Sequence, residues 1–168
     1  MKTITTNENE TTRRPRLAFY NANGKNSGAA AIFEVIPARP EEEGCVQLKL
    51  AKQLGYDYPR FDWTDSIVLK LDFADIGKIL QVLRGVSESV DDGKGFFCAT
   101  SKATAVLRFR HVIEPRPGYE LECIRTIKET GKETRILGRL EIHEAESLLC
   151  ALEGSMTAIA FGLPNYSN

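Results

Sequence analysis

The hydrophobic pattern changes period twice in the same order, and that order constrains the fold more than any other feature. Alternating apolar residues, the mark of half-buried strands, give way to an i, i+3, i+4 pattern, the mark of an amphipathic helix, and the sequence of events then repeats. Arg16–Asn21, Ala29–Ile36, Cys45–Ala51 and Trp63–Leu71 read as strands. In the third, Val46, Leu48 and Leu50 share one face while Gln47 and Lys49 share the other. Ile76, Ile79, Leu80 and Leu83 then predict a helix, with Asp72 as N-cap, Asp75 complementing the helix dipole and Gly85 as terminator.

The second half repeats the plan. Gly95–Thr100, Lys102–Glu114, Tyr119–Lys128 and Thr134–Ile142 read as strands, with turns at Pro115–Gly118 and Glu129–Lys132. Ala145, Leu148, Leu149, Leu152, Met156 and Ile159 predict a long closing helix, ended near Gly162. Repeat one spans 16–85 and repeat two spans 95–163. Strands do not alternate singly with helices, which excludes a doubly wound parallel sheet. The expected class is α+β: two ββββα repeats forming two antiparallel sheets with helices packed between them, in a single domain over residues 15–168.

The first 14 residues read as a disordered tail, because Met1–Thr12 is rich in Thr, Asn and Glu and has no apolar core of a secretory signal. No apolar run reaches the roughly 20 residues of a membrane span, so no membrane partner is expected. The four cysteines, Cys45, Cys98, Cys123 and Cys150, form no C-x-x-C pair and read as reduced core thiols. No metal, cofactor or catalytic residue is expected. Gly24-Lys25-Asn26 lacks the glycine and hydroxyl of a phosphate loop, Asp91-Asp92-Gly93 lacks the later ligands of a calcium loop, and His111 falls on the apolar face of its strand.

The net charge of −1 conceals a strong division. Residues 13–61 hold eight Lys or Arg against five Asp or Glu, and residues 96–140 hold nine against five. Residues 62–95 hold four against seven, and residues 141–168 hold none against four. The positive segments are mostly strand and the negative ones contain both helices, so a near-neutral chain presents basic sheets. Lys102, Arg108 and Arg110 alternate with apolar residues, as do Arg135 and Arg139, and Lys49 beside Gln47. A solvated sheet face explains this pattern. So does a groove that tracks phosphates, with Tyr20, Tyr56, Tyr58, Phe61, Phe96 and Phe97 as bases' stacking partners. Trp63 stands at a strand start, where a core anchor and a stacking platform are competing roles.

Several segments resemble the Whirly family in order and spacing, over about residues 16–163. Ala29–Pro37 resembles its second strand and Gly44–Leu50 its third. Phe61-Asp62-Trp63-Thr64 resembles the segment opening its fourth, Ala74-Asp75-Ile76-Gly77 its strand-to-helix junction, and Gly95-Phe96-Phe97 the start of its second half. Gly24-Lys25-Asn26-Ser27-Gly28 stands where the family carries a lysine-rich motif, and retains Lys25 alone. The wider fold includes mitochondrial guide-RNA-binding proteins and the coactivator PC4. The resemblance implies strands splayed like a whirligig, a homotetramer joined through the helices, and single strands bound along the sheets. It implies a non-enzymatic, largely sequence-tolerant single-stranded DNA-binding protein, with RNA as an alternative ligand and transcription regulation or DNA maintenance as its setting. A bacterial or phage-like cytoplasmic protein is the expected relative. The residues expected at the nucleic acid are Tyr20, Lys25, Lys49, Trp63, Phe96, Lys102, Arg108, Arg110 and Arg135. A protein-interaction module that has kept the fold and lost nucleic-acid binding is the competing expectation.

Overall fold

The computed structural model describes residues 16–55 and 60–162. The expected tail, Tyr56 and Tyr58, and the end of repeat two at residue 163 lie outside the described residues. Sheet one is built from β1 (Arg16–Asn21), β2 (Ala29–Ile36), β3 (Cys45–Leu54), β4 (Arg60–Phe61) and β5 (Ile67–Leu71), all antiparallel. β3 shares its outer edge between two partners: β5 pairs with Val46–Leu50, and β4 with Gln53 and Leu54. Sheet two is a meander of β6 (Phe96–Ala99), β7 (Ala103–Val112), β8 (Gly118–Ile127) and β9 (Glu133–Leu140). Helix α1 (Phe73–Leu83) follows sheet one and α2 (Ile142–Phe161) follows sheet two. The expected α+β class with two antiparallel sheets and two helices is what the chain adopts.

Period-two burial puts one face of each sheet into a common core. Phe19, Phe33, Leu48, Leu50 and Leu69 come from sheet one, Leu107, Phe109, Leu121 and Ile136 from sheet two, and Ile76, Leu80, Leu148 and Leu152 from the helices. The sheets meet closely where Phe19 and Ala31 face Leu121 and Gly138; the gap left there is about 10 Å³, too small to hold a packed side chain. Arg125 ties the sheets at one end, donating to Ser66 O (3.1 Å) and pairing with Asp65 at 2.5 Å.

The helix starts follow the sequence. The Asp75 amide donates to Asp72 Oδ1 (2.8 Å) and the Asp72 amide donates back to Asp75 Oδ2 (3.3 Å), a reciprocal cap of the kind that contributes about 1 kcal/mol. Gly85, at φ +71°, ends the turn after α1 in a conformation that side chains disfavour. At α2 the Glu141 amide donates to Glu144 Oε2 (2.8 Å), so the preceding strand stops at Leu140 rather than at Ile142.

Several expectations change. The expected strand Trp63–Leu71 begins at Ile67. Asp62 Oδ1 accepts from the amides of Thr64 (3.1 Å) and Asp65 (3.2 Å), which winds the chain into a turn before pairing can start. Lys102 lies in the β6–β7 turn, not in a strand. His111 is exposed instead of buried in the core; its ring tilts against Tyr119 at 4.9 Å as β7 leaves the core. The cysteines divide: Cys45 and Cys123 are buried and Cys98 half-buried, but Cys150 is on the solvent side of α2. Burial pushes the Cys123 thiol up to about 12, so it stays protonated and inert at neutral pH.

Candidate nucleic-acid interface

Antiparallel pairing lines up the outward residues of sheet one in rows across the strands. Arg16, Glu34, Gln47 and Lys70 make one row; Ala18, Ile32, Lys49 and Val68 the next; Tyr20, Ala30 and Ala51 the third. The face is therefore graded, from charged through aliphatic to aromatic, with rows about 6.8 Å apart. The small side chains of Ala30 and Ala51 leave room for rings beside them. The Asp62 turn brings Trp63 back over the same region. Tyr20 and Phe61 stand 5.7 Å apart between ring centroids and Phe61 and Trp63 6.5 Å apart, while Lys49 Nζ lies 5.6 Å from the Trp63 ring centre.

This cluster opens into two adjoining cavities that share Tyr20 and Trp63 as walls. An inner one of about 400 Å³ is lined by Arg16, Tyr20, Ile32, Glu34, Gln47, Lys49 and Trp63. An outer one of about 550 Å³ is lined by Tyr20, Ala22, Arg60, Phe61 and Trp63. Among the described residues, Arg16, Lys25, Lys49, Arg60 and Lys70 form no ion pair. The β1–β2 turn that carries Lys25 is held by the buried amide of Gln53. Gln53 Oε1 accepts from the amides of Asn23 (2.8 Å) and Gly28 (3.1 Å), and its Nε2 donates to Asn23 O (3.0 Å) and Gly55 O (2.9 Å). Gly28 is required there, because a Cβ would lie 2.2 Å from Asn21 O.

The outer face of sheet two differs. Arg108, Arg110 and Arg135 project from it as the alternation predicts, but β8 places Glu120 and Glu122 between them. Arg108 pairs with Glu122 at 2.9 Å, Arg135 pairs with the same carboxylate, and Arg110 pairs with Glu120 at 2.5 Å. Burial pushes the Glu122 carboxyl up, but hydrogen bonds from Arg108 and Arg135 outweigh it, and the net pKa lies below the ordinary carboxylate value. Arg139 donates to the carbonyls of Arg116 and Pro117. Phe96 is 5% exposed and packs into the core beneath Lys78, so it presents no ring for stacking; its neighbour Phe97, 68% exposed, faces outward in line with Val106 and Ile124.

Of the nine residues expected from sequence, Tyr20, Lys49 and Trp63 come together; Lys25 lies in the β1–β2 turn, Lys102 in the β6–β7 turn, and Phe96, Arg108, Arg110 and Arg135 on sheet two. Arg16, Ile32, Gln47 and Arg60 complete the cluster. Arg16 carried a signal, since it is in phase with Tyr20 on β1; Arg60 did too, as the cation of an Arg-Phe-Asp-Trp run. Among the described residues no group of His, Cys, Asp or Glu is placed to hold a metal ion.

No protein-family model matches the sequence, and no curated protein is significantly similar to it. Solved structures are. WHY3 from Arabidopsis thaliana aligns with a TM-score of 0.73 at 17% identity, over 89% of this chain and 90% of that one. The plant transcriptional regulator PBF-2 gives 0.64 at 18% identity, over 88% and 84%. A guide-RNA-binding protein complex, solved bound to a guide RNA, gives 0.54 at 15% identity, over 86% and 91%. With nearly the whole chain superposed in each case, and with both sheets and both helices in the expected order, this protein has the Whirly fold.

Proposed function

We propose that the protein binds single-stranded nucleic acid, DNA in the first place and RNA as the alternative, and performs no chemistry on it. The carrying observation is the Tyr20–Phe61–Trp63 cluster beside Arg16, Lys49 and Arg60, which among the described residues have no carboxylate partner. Rings supply stacking platforms worth about 1–3 kcal/mol per base, and stacking tolerates sequence because every base has a π-face. Lys49, Arg60, Arg16 and Lys25 neutralise phosphates along the same face. The fold-mates that regulate transcription or bind guide RNA support this reading. A role in transcription regulation or DNA maintenance, in the cytoplasm, goes with it.

The chain contains one tryptophan, and it lies in the site. Titrating a single-stranded oligonucleotide against its fluorescence, at two salt concentrations, tests the reading directly. The expected result is quenching on binding and an affinity that falls with salt in proportion to the phosphates neutralised. No binding at low salt overturns it.

The reading includes a homotetramer joined through the helices. Ile142, Phe73 and Phe161 are exposed apolar residues on or beside the helix ends, which supports an assembly surface there. Light scattering that returns a monomer excludes it. The protein-interaction alternative draws support from sheet two, where self-paired charges surround the exposed Phe97 and Leu137. Capture of a protein partner by a chain that binds no oligonucleotide would favour it.

A further inference from the structure

The two cavities of sheet one share Tyr20 and Trp63 but differ in their remaining walls. The outer one adds Phe61, Ala22 and the Arg60 guanidinium, and among the described residues no carboxylate or side-chain amide lines it. The inner one has Ile32 as its floor and ends at Glu34 and Gln47, which are direct cross-strand partners one row beyond Ile32 and Lys49. Their side chains therefore start about 5 Å apart and stand together at one end of the compartment. Among the described residues the Gln47 side chain has no hydrogen-bond partner. Glu34 is engaged, yet a carboxylate has about four acceptor positions and can accept again.

We infer that the inner compartment discriminates among bases, taking one that carries an exocyclic amine and disfavouring uracil and thymine. The inference rests on the single-strand reading and adds a selectivity to it. A base leaning on Trp63 above Ile32 directs an edge toward Glu34 and Gln47. Cytosine, adenine and guanine offer an amine on that edge, whereas uracil and thymine offer two carbonyl oxygens with one ring N–H between them. The Gln47 amide has a donor and an acceptor and can turn to suit either kind of base. The Glu34 carboxylate, when ionised, only accepts. It takes a hydrogen bond from the amine, but opposite the uracil O4 it sets acceptor against acceptor in a half-open compartment between partly buried walls, where a base pressed against them leaves the mismatched oxygens less water to turn to. Gln47 is thus the adaptable contact and Glu34 the discriminating one. The pairing of Glu with the cytosine amine, and of Gln with adenine, is the same chemistry that proteins use on base edges in duplexes.

Oligo-dC and oligo-dU of equal length isolate the effect, since the two bases have the same ring size and neither carries a methyl group. Titrated on the Trp63 fluorescence at low salt and neutral pH, oligo-dC should bind at least about fivefold tighter. Glu34→Gln is close in shape and leaves the sheet pairing intact. It should bring the ratio to about one, while oligo-dU binding stays equal or tightens as a negative charge is lost. Gln47→Leu should weaken both oligonucleotides and leave the ratio largely in place. Equal affinities in the unaltered protein, or a ratio that survives Glu34→Gln, would overturn the selectivity while leaving single-strand binding standing. Failure of both oligonucleotides to bind would overturn the functional reading and the selectivity with it.

Discussion

The outer faces of the two sheets carry similar numbers of basic residues and use them differently. On sheet one, Arg16, Lys49 and Lys70 project among Ala, Ile, Val and Gln, and Glu34, in register opposite Arg16, is the one carboxylate in their rows. On sheet two, each outward arginine of β7 meets a glutamate of β8 in register, Arg108 opposite Glu122 and Arg110 opposite Glu120. The aromatic residues divide the same way: Tyr20, Phe61 and Trp63 cluster on sheet one, while among the described Phe, Tyr and Trp residues of sheet two Phe97 alone is exposed. Counting basic residues per segment treats the faces as equal. What separates them is how many carboxylates the neighbouring strand supplies, and so how many cations stay available to a phosphate instead of holding an internal carboxylate.

If the comparison is right, removing a ring from sheet one should have the largest effect. Trp63→Ala is expected to cost about 1–3 kcal/mol of binding, read with a labelled oligonucleotide because the intrinsic probe is lost. Phe97→Ala on sheet two should change affinity little, and circular dichroism should show both variants folded. Equal losses in the two variants would erase the distinction between the faces. The salt dependence sharpens it further. Lys49→Ala and Arg60→Ala should each lower the slope of log K against log salt by about 0.7, whereas Arg110→Ala should leave it nearly unchanged. Glu122→Gln tests the converse. It frees Arg108 and Arg135, so the slope should steepen by up to about 1.4 as sheet two gains the ability to hold phosphate. An unchanged slope would mean that those arginines are unavailable for a reason other than Glu122.

Much of the fold was legible because burial has a period. Val46, Leu48 and Leu50 must share a face whatever their partners are, and Ile76, Ile79, Leu80 and Leu83 must share another. The caps at Asp72 and Gly85 are local and were visible for the same reason. The site was legible in part. Tyr20, Lys49 and Trp63 could be named as candidates, but their meeting depends on the Asp62 turn, in which one side chain takes two amides and folds Trp63 back over β3. Phe96 and Phe97 could not be separated by type, since adjacent strand residues point to opposite faces and the register decides which one is buried. The pairing of Arg108, Arg110 and Arg135 was hidden because alternation within one strand carries no information about charge on the next.

The smallest expected effect is on stability, and its sign follows from Glu122. The folded-state pKa of this carboxyl lies below the ordinary value, so the charged form is favoured by folding. That contribution is fully present above the unfolded pKa of about 4.3 and is lost as pH falls through the folded pKa. Glu122→Gln lacks it at every pH. Urea unfolding should therefore find the variant less stable at neutral pH, and the difference should close as pH falls through the folded-state pKa of Glu122, below the ordinary carboxylate value. Arg108 and Arg135 are 44% and 62% exposed, so solvent screens the pairs, and the neutral-pH difference should be about 1 kcal/mol or less. The same substitution is expected to raise affinity for single strands. A variant that loses a little stability at neutral pH and gains binding would identify Glu122 as an internal competitor for phosphate; one that loses both would show that the paired arginines brace sheet two and take no part in holding a strand.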